Sequence, residues 1–383
     1  DRRTRSARQP SASRGVRVSA LATVGVLVLL AGAATVAGQS RQRWTFGDDA
    51  FADLWFHGLA VVGFYGFGPF PLYDPDYALA AAAERRADGT RETPLELRRG
   101  DFRGSFQRDE AFEILHFVPL YFAGRDPREA LRSLSAVASL APGTLPQEGD
   151  AAATAVASVL TRADERRTLG DFVRALDEEW TRVVLPRRTE NAAGNRQRLL
   201  EIRHRWTSVW APALTDFLSR EGFQEGSVVV VPALGAEGRF LDRNPAGTPG
   251  PLVVVGDPGE AAGTDAALSS LVRELCYPAV RRAFAPFEGR VSDRVAASRA
   301  SDLTATRCGE LLLEARAPAQ VAAYRARFDL PPGGAGRAFL SASGDIPGAA
   351  AWEGTLEEAL LRELNLDPDA AGVRTPSVGG NPQ

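Results

Sequence analysis

Two runs of β-branched residues constrain the fold of this chain more than any other feature. Ser227–Pro232 and Pro251–Gly256 consist mainly of Val and are bounded by Gly and Pro, and Arg239–Leu241 lies between them. Short apolar runs with such boundaries are typical of β-strands. The sequence therefore predicts a small mixed or antiparallel sheet.

Most of the remaining chain has apolar residues at helical spacing, so the predicted fold class is α+β and mostly helical. Thr355 and Glu358 form a capping-box motif, which predicts that the last helix begins there. Asn191–Asn195 is predicted to be a polar linker between helices. Phe51–Phe70 is interpreted as a buried helix that ends in a Gly/Pro turn. The other predicted helices cover residues 75–87, 109–123, 127–140, 151–160, 168–184, 197–220, 265–284, 302–315 and 321–328.

Changes in composition divide the chain into four regions. Residues 1–40 are expected to be a signal peptide or an N-terminal membrane anchor, and residues 41–222 a helical region. Residues 223–330 are expected to hold the sheet and a pair of helices. Residues 331–383 form a tail rich in Gly, Pro and Ala with one helix, and disorder is predicted after Asp367.

The N-terminal region predicts export. Several Arg residues precede an uncharged run from Val18 to Ser40, which ends in small residues such as Val36-Ala37-Gly38. A basic segment, an apolar segment and a small-residue exit describe a secretory signal peptide. The run also reaches the roughly 20 residues that a membrane-spanning helix needs. We therefore expect a periplasmic or extracellular protein that contacts the membrane only through residues 18–40.

Composition excludes several classes of function. All 45 residues counted as Lys plus Arg are Arg, which excludes a P-loop lysine, the Ser-x-x-Lys motif and Schiff-base enzymes. The net charge is −3 and the arginines are offset by nearby acidic residues, so no nucleic-acid partner is expected. No two of His57, His116 and His204 have ligand spacing, so each is interpreted as structural or surface. Glu178 and Glu179 are predicted to lie on a helix surface.

One predicted helix carries a motif that follows the sheet, Arg273-Glu274-Leu275-Cys276-Tyr277. In zinc peptidases the H-E-x-x-H helix binds the metal through two His residues, and its Glu is the general base. The stretch resembles this helix of the gluzincin-type zinc metallopeptidases and related bacterial peptidase-like proteins. Arg273 and Tyr277 stand where the two His residues would be, and Glu274 matches the catalytic Glu. The resemblance covers about residues 228–314.

The resemblance implies a metal site that has been lost. The third ligand of the family is a Glu on a following helix, which corresponds here to Glu310, with Glu314 as the other option. A guanidinium has no lone pair to donate to a metal, so no cofactor is expected. Arg273 is instead expected to bridge Glu274 and Glu310.

The two cysteines lie in the helices that a zinc ion would join in the family. In an exported protein Cys276 and Cys308 are expected to form a disulfide, worth roughly 3–4 kcal/mol for a loop of this length. The alternative is two buried free thiols. Pro278, directly after the motif, predicts a kink in the helix.

These features predict an exported, non-catalytic pseudo-peptidase with a binding or scaffold role in the cell envelope and an unknown partner. One alternative is an active hydrolase that uses Glu274 as general base, or uses Glu274 and Glu310 as a carboxylate pair. Another is a helical envelope protein unrelated to peptidases. In that case the motif is an ordinary amphipathic helix with Arg281 and Arg282 on its surface.

Overall fold

The computed structural model describes most of the chain that follows the N-terminal segment. The described residues are 43–65, 68–87, 89, 91–146, 149–257, 259, 263–291, 293–330, 339–341, 346 and 348–367. The predicted signal peptide or anchor over residues 1–40 lies outside them, and so does the predicted disorder after Asp367.

The described part of the protein is mostly helical with one small mixed sheet, which confirms the α+β class. The strands are β1 Arg43–Gly47, β2 Glu225–Val231, β3 Arg239–Leu241 and β4 Leu252–Gly256. The helices are α1 Ala50–Val62, α2 Tyr77–Ala87, α3 Pro94–Leu97, α4 Arg99–Gln107, α5 Val118–Tyr121, α6 Pro127–Ser139, α7 Ala151–Val159, α8 Ala163–Glu179, α9 Leu185–Arg205, α10 Ala211–Ala213, α11 Thr215–Arg220, α12 Thr264–Leu275, α13 Tyr277–Phe284, α14 Arg294–Arg316, α15 Val321–Arg327 and α16 Glu353–Leu364. Short 3₁₀ segments are Glu110–His116, Ala285–Arg290, Pro318–Gln320 and Ala349–Ala351.

The described strands form a four-stranded sheet in the order β1–β2–β4–β3. β1, β2 and β4 are parallel, and β3 is antiparallel to β4. Val228 and Val253 belong to a core formed with the C-terminal helices, whereas Val231 and Val254 belong to a core formed with the N-terminal helices. Parallel strands that are covered on both faces have continuous apolar sequences, which explains the Val runs of β2 and β4.

β1 is a strand that the hydrophobic pattern does not predict. Its sequence, RWTFG, alternates between exposed and buried positions and contains no continuous apolar run. It pairs with β2, so the sheet joins the predicted regions 41–222 and 223–330. The described residues from Arg43 to Asp367 belong to one compact unit. The boundary predicted at residue 222 is therefore a change from helices to strands within that unit.

α8, α9 and α10 form one continuous helix. The π-helical segments Trp180–Val184 and Trp206–Trp210 join them, and the backbone keeps right-handed helical angles at each junction. The predicted polar linker Asn191–Asn195 is wrong, because these residues lie inside α9. They are largely exposed there, and polar residues on an exposed helix have the same composition as a linker.

The predicted helix over residues 265–284 consists of two helices that meet at Cys276. Tyr277 and Pro278 are the first two residues of α13, where a proline is tolerated because its missing N–H has no helical partner. α12 packs against β4 and β3, so the motif helix lies beside the sheet as predicted. Near the C-terminus, α16 begins at Glu353 after Trp352, and the predicted capping box at Thr355 lies within its first turn.

α1 is buried in the N-terminal core and ends at Gly63, whose φ of 75° is left-handed. The buried helix predicted from Phe51 is therefore confirmed as far as Val62, where it ends in a glycine turn. Within the described ranges, no helix combines the length and the hydropathy that crossing a membrane requires.

Candidate functional site

Arg273 is the centre of a buried cluster of charges. Its side chain is fully buried in the last turn of α12. Nη1 donates to Glu274 Oε1 at 2.5 Å, and Nε donates to Thr306 Oγ1 at 3.1 Å. Nη2 lies 3.4 Å from Asp302 Oδ1 and 3.8 Å from Glu237 Oε1. One guanidinium therefore faces three carboxylates, which offset the cost of burying its charge.

The three carboxylates come from separate elements, and a glycine brings two of them together. Glu237 lies in the loop between β2 and β3, Glu274 in α12 and Asp302 in α14. The Gly238 N–H donates to Glu274 Oε1 at 3.0 Å. A Cβ atom at Gly238 would lie 2.5 Å from the carbonyl oxygen of Val254. Only glycine allows this loop to approach the sheet and α12 so closely.

Aromatic rings enclose the guanidinium. Its carbon lies 5.6 Å from the ring centroid of Tyr277, 5.8 Å from that of Phe70 and 6.0 Å from that of Phe328. Cations are attracted to ring faces at such distances. The Tyr277 hydroxyl also donates to Asp302, and burial raises the pKa of Tyr277 well above its ordinary value. Tyr277 therefore holds the Asp302 carboxylate on the side of Arg273.

The cluster holds two guanidinium groups, since Arg239 Nη1 lies 3.3 Å from Glu237 Oε2, and carboxyl groups with raised pKa values. Burial raises the pKa of Glu237 to about 7. The charge of Asp302 contributes to this rise, whereas the charge of Arg273 opposes it. Burial likewise raises the pKa of Glu274, although Arg273 and Arg239 oppose the shift. Burial acts to lower the pKa of Arg273, but Tyr277 and the carboxylates raise it well above its ordinary value. We therefore expect Glu237 to exchange a proton near neutral pH.

Glu310, the expected second partner of Arg273, belongs to a different ion-pair network. Its Oε2 lies 2.6 Å from Arg307 Nη1, and its Oε1 accepts a hydrogen bond from Arg325 Nε at 2.7 Å. Asp302 precedes it by eight residues in α14, which is about 12 Å along a helix. The structure therefore corrects the expected bridge: Arg273 contacts Glu274 and Asp302, and the other option, Glu314, pairs with Arg325.

The two cysteines are neighbours, as predicted. Cys276 and Cys308 are fully buried, and the structure describes them as free thiols close enough to hydrogen-bond with each other. Burial raises the pKa of Cys276 well above its ordinary value, and the contact with Cys308 adds to the shift. The two thiols are close enough to form a disulfide, but the structure shows them reduced, so the disulfide remains a prediction.

A cavity of about 380 Å³ opens beside this cluster. Glu274, Tyr277 and Asp302 reach it from the Arg273 side. Four consecutive residues at β3, from Arg239 to Asp242, line it along the strand. Its other lining residues are Gly68, Glu113, Phe117, Arg281, Ser298 and Ser301. The cavity therefore runs along β3, which is the last strand in the order of the described sheet.

Glu113 is a second carboxyl group of this cavity with a shifted pKa. Burial raises its pKa to about 7, although the charge of Arg239 opposes the shift. His116 lies 3.8 Å from Glu113, but its pKa is lowered well below the ordinary value by burial, and its Nδ1 is 2.9 Å from the Tyr73 hydroxyl.

The histidines do not line the cavity. His204 is exposed, whereas His57 is buried and lies 2.8 Å from Glu179 through its Nε2. Glu179 is itself fully buried, so its predicted surface position is wrong. Glu178 is partly exposed and pairs with Arg182.

Four charged residues of the site were not predicted: Glu113, Glu237, Arg239 and Asp302. For Glu237 a signal existed, since a charged residue between Gly235 and Gly238 in a short connection between strands indicates a tightly packed loop. Asp302 carries no such signal, because one acidic residue on a polar helix resembles any other.

The residues present do not fit a zinc ion. A guanidinium lies among the carboxylates where a metal would need donor atoms, and it repels a cation. Within the described part of the chain, no group of three or more His, Cys, Asp or Glu side chains is arranged to hold a metal. Comparison of the chain with protein-family models, with curated proteins and with solved structures gives no match.

Proposed function

We propose that the protein is an exported, non-catalytic, peptidase-like protein that binds an extended peptide along β3. The observation that carries the proposal is the buried Arg273, which pairs with Glu274 and Asp302 beside the cavity. Because the Arg273 guanidinium is always positively charged, it repels a metal ion in this place. It therefore supports a binding role over a metal-dependent activity.

The geometry of β3 favours a peptide as the ligand. β3 is the last strand in the order of the described sheet and pairs there with β4, and the proposal assigns its other edge to the peptide. Extended peptides bind exposed sheet edges through main-chain hydrogen bonds, and pockets beside the edge select their side chains. Phe117, Phe240 and Leu241 give the cavity apolar surface, and Arg239 and Glu113 give it charges of both signs.

Export forms part of the proposal and is supported by the basic, apolar and small-residue segments of residues 1–40. The site would then face the cell envelope or the medium, where peptide segments of secreted and surface proteins are accessible. Detection of the protein in an envelope or culture fraction tests this part separately.

Metal content tests the loss of the zinc site. We expect the wild-type chain, dialysed against zinc and then against buffer, to hold no stoichiometric zinc and to cleave no peptide. The double variant Arg273→His, Tyr277→His restores two imidazoles around Glu274 and is expected to gain zinc affinity. The variant Arg98→His, Arg99→His, at adjacent exposed positions beside the start of α4, is the control and should gain none. Chelator-sensitive zinc and peptidase activity in the wild type would contradict the proposal.

Peptide binding is tested on an array of random ten-residue peptides. Leu241→Trp places a large side chain in the cavity and is expected to abolish binding to the peptides that the wild type retains. Leu200→Trp, at an exposed position on α9, is the control and should leave binding unchanged. If both variants still bind these peptides, β3 is ruled out as the site. It is also ruled out if the wild type binds no peptide of the array.

A hydrolase is the second candidate. It is favoured by Glu274 and Glu113, two carboxyl groups with raised pKa values in one cavity, because general acids and bases need a pKa near the working pH. The peptidase assay above, extended to glycoside substrates, separates it from the first: turnover that Glu274→Gln abolishes supports the hydrolase.

A further inference from the structure

A second cavity, of about 410 Å³, lies where the parallel strands end. β1, β2 and β4 run in the same direction and end at Gly47, Val231 and Gly256. Pro232 and Asp257, the residues directly after β2 and β4, line the cavity. In open sheets of parallel strands, ligands bind in the crevice at these carboxyl ends. The cavity shares no lining residue with the one beside Glu274.

One side of this cavity is a polar stripe on α9. Arg187, Asn191, Asn195 and Arg198 recur every three or four residues and therefore share one helix face. The π-helical segment Trp180–Val184 directly precedes α9, and π-helical turns are frequent at functional sites because they change the direction of the following side chains. The stripe offers guanidinium and amide groups, which are planar and can make several hydrogen bonds each.

The charges of the cavity are largely paired within it. Arg188 forms an ion pair with Asp53, and Arg198 Nε lies 3.0 Å from Asp257 Oδ2. Arg187 Nε lies 3.6 Å from Glu84 Oε2. The lining also includes Asp74 and Asp76, so five carboxylates face three guanidinium groups, and this excess of negative charge disfavours a simple anion.

Four buried polar atoms of the cavity residues lack a hydrogen-bond partner among the described residues: Asp53 Oδ1, Arg187 Nη1, and the Arg188 Nη1 and Arg198 Nε atoms of the ion pairs above. Asp53 is more than nine-tenths buried, and its Oδ1 has no hydrogen-bond partner among the described residues. Arg187 Nη1 is likewise buried without one. An unsatisfied buried polar group costs about 1–3 kcal/mol, so a ligand that pairs with it gains affinity. Asp53 needs a donor and Arg187 needs an acceptor, and a hydroxyl group is both.

Tyr77 is held in place at the same cavity by a series of buried groups. His57 Nε2 donates to Glu179 Oε1 at 2.8 Å, and the hydrogen bonds that Glu179 accepts outweigh burial and lower its pKa. His57 Nδ1 lies 3.0 Å from the Tyr77 hydroxyl, and the two groups share a hydrogen bond. The Arg187 guanidinium lies over the Tyr77 ring at 4.9 Å. This series fixes a ring and a guanidinium at the edge of the cavity before any ligand arrives.

We propose that this cavity binds a neutral sugar of one or two rings. Hydroxyl groups both donate and accept hydrogen bonds, so they can pair with the carboxylates and with the guanidinium and amide groups that line the cavity, and a neutral ligand leaves its ion pairs intact. Its volume is within the range of small-molecule sites. The inference is independent of peptide binding at β3, because the two cavities have separate linings.

The test uses calorimetric titration of the full chain with D-glucose, D-galactose, N-acetyl-D-glucosamine and maltose. We expect at least one of them to bind, and Arg187→Gln and Asn191→Ala to weaken that binding by about tenfold or more. Asn191 is exposed on α9, so its variant folds even where Arg187→Gln does not. Arg196→Gln, an exposed position in the same helix, is the control and should bind as the wild type does.

Glycine and inorganic phosphate are the competing probes, for a zwitterion and an anion. Binding of either one more tightly than every sugar overturns the proposal. So does the absence of heat with all four sugars, and so does sugar binding that neither Arg187→Gln nor Asn191→Ala weakens. Thermal melting of each variant shows whether a loss of binding reflects a loss of fold.

Discussion

A single residue, Arg273, determines how the site beside β3 is interpreted. The guanidinium is rigid and planar, and it contacts Glu274, Thr306 and Asp302 at once. A lysine could not reproduce this arrangement, since its ammonium is a compact point charge without a fixed fork of donors. The local motif predicted Arg273, Glu274 and Tyr277 because they lie within five residues on adjoining helical turns. It could not predict Glu237 or Asp302, which reach the same point from distant parts of the chain.

Glu237 gives a pH-dependent stability that can be measured. Its pKa is raised to about 7 in the folded protein, so between about pH 4.5 and 7 the folded state binds more protons than the unfolded state. The free energy of unfolding therefore falls as the pH rises through this range, by an amount on the order of 2 kcal/mol. Glu237→Gln is expected to reduce the measured slope by this amount in denaturant titrations at pH 5 and pH 7.5, while Glu113, whose pKa is also raised to about 7, keeps its own contribution.

Glu190→Gln, at an exposed position on α9, is the control and should retain the slope of the wild type. If the stability difference between Glu237→Gln and the wild type is the same at both pH values, Glu237 does not exchange its proton in this range.

Among the elements, the loop between β2 and β3 is the one that joins the sheet to the charge cluster. It carries Glu237 and places the Gly238 N–H against Glu274. The strands on either side were predictable, because Val-rich runs between Gly and Pro leave little choice of structure. β1 and the continuous helix through α9 were not predictable. Short or polar sequences of this kind fit an exposed helix, an edge strand or a linker equally well.

Gly238→Ala tests the close approach of this loop. The new Cβ would meet the Val254 carbonyl oxygen at 2.5 Å, so either the loop or β4 must shift. Forced overpacking of this kind costs about 1–3 kcal/mol, and we expect that loss in urea unfolding together with a weakened contact to Glu274.

Gly100→Ala is the matched substitution in open space on α4, where nothing lies within 4 Å of the new methyl group. It should stabilise the protein by about 0.5–1 kcal/mol, because alanine favours a helix over glycine. Equal effects of the two substitutions would show that the loop tolerates a Cβ atom.

At the scale of the whole molecule, the sheet lies between two hydrophobic cores, and a cavity lies at each of two positions along its edge and strand ends. One cavity runs along β3 and the other lies at the ends of the parallel strands. The mostly helical class with a small sheet followed from the sequence. The parallel order did not, because it depends on β1 pairing with β2 from far along the chain, and no local pattern records that pairing.

The continuous helix from α8 to α10 has a mechanical consequence. Leu169 and Phe172 near its start pack in the N-terminal core, and Trp206 and Trp210 near its end pack in the C-terminal core. The π-helical segment Trp180–Val184 lies between these two parts of the helix, and the segment Trp206–Trp210 is itself the second part. Because one helix packs in both cores, we expect that destabilising either core also weakens the packing of the other.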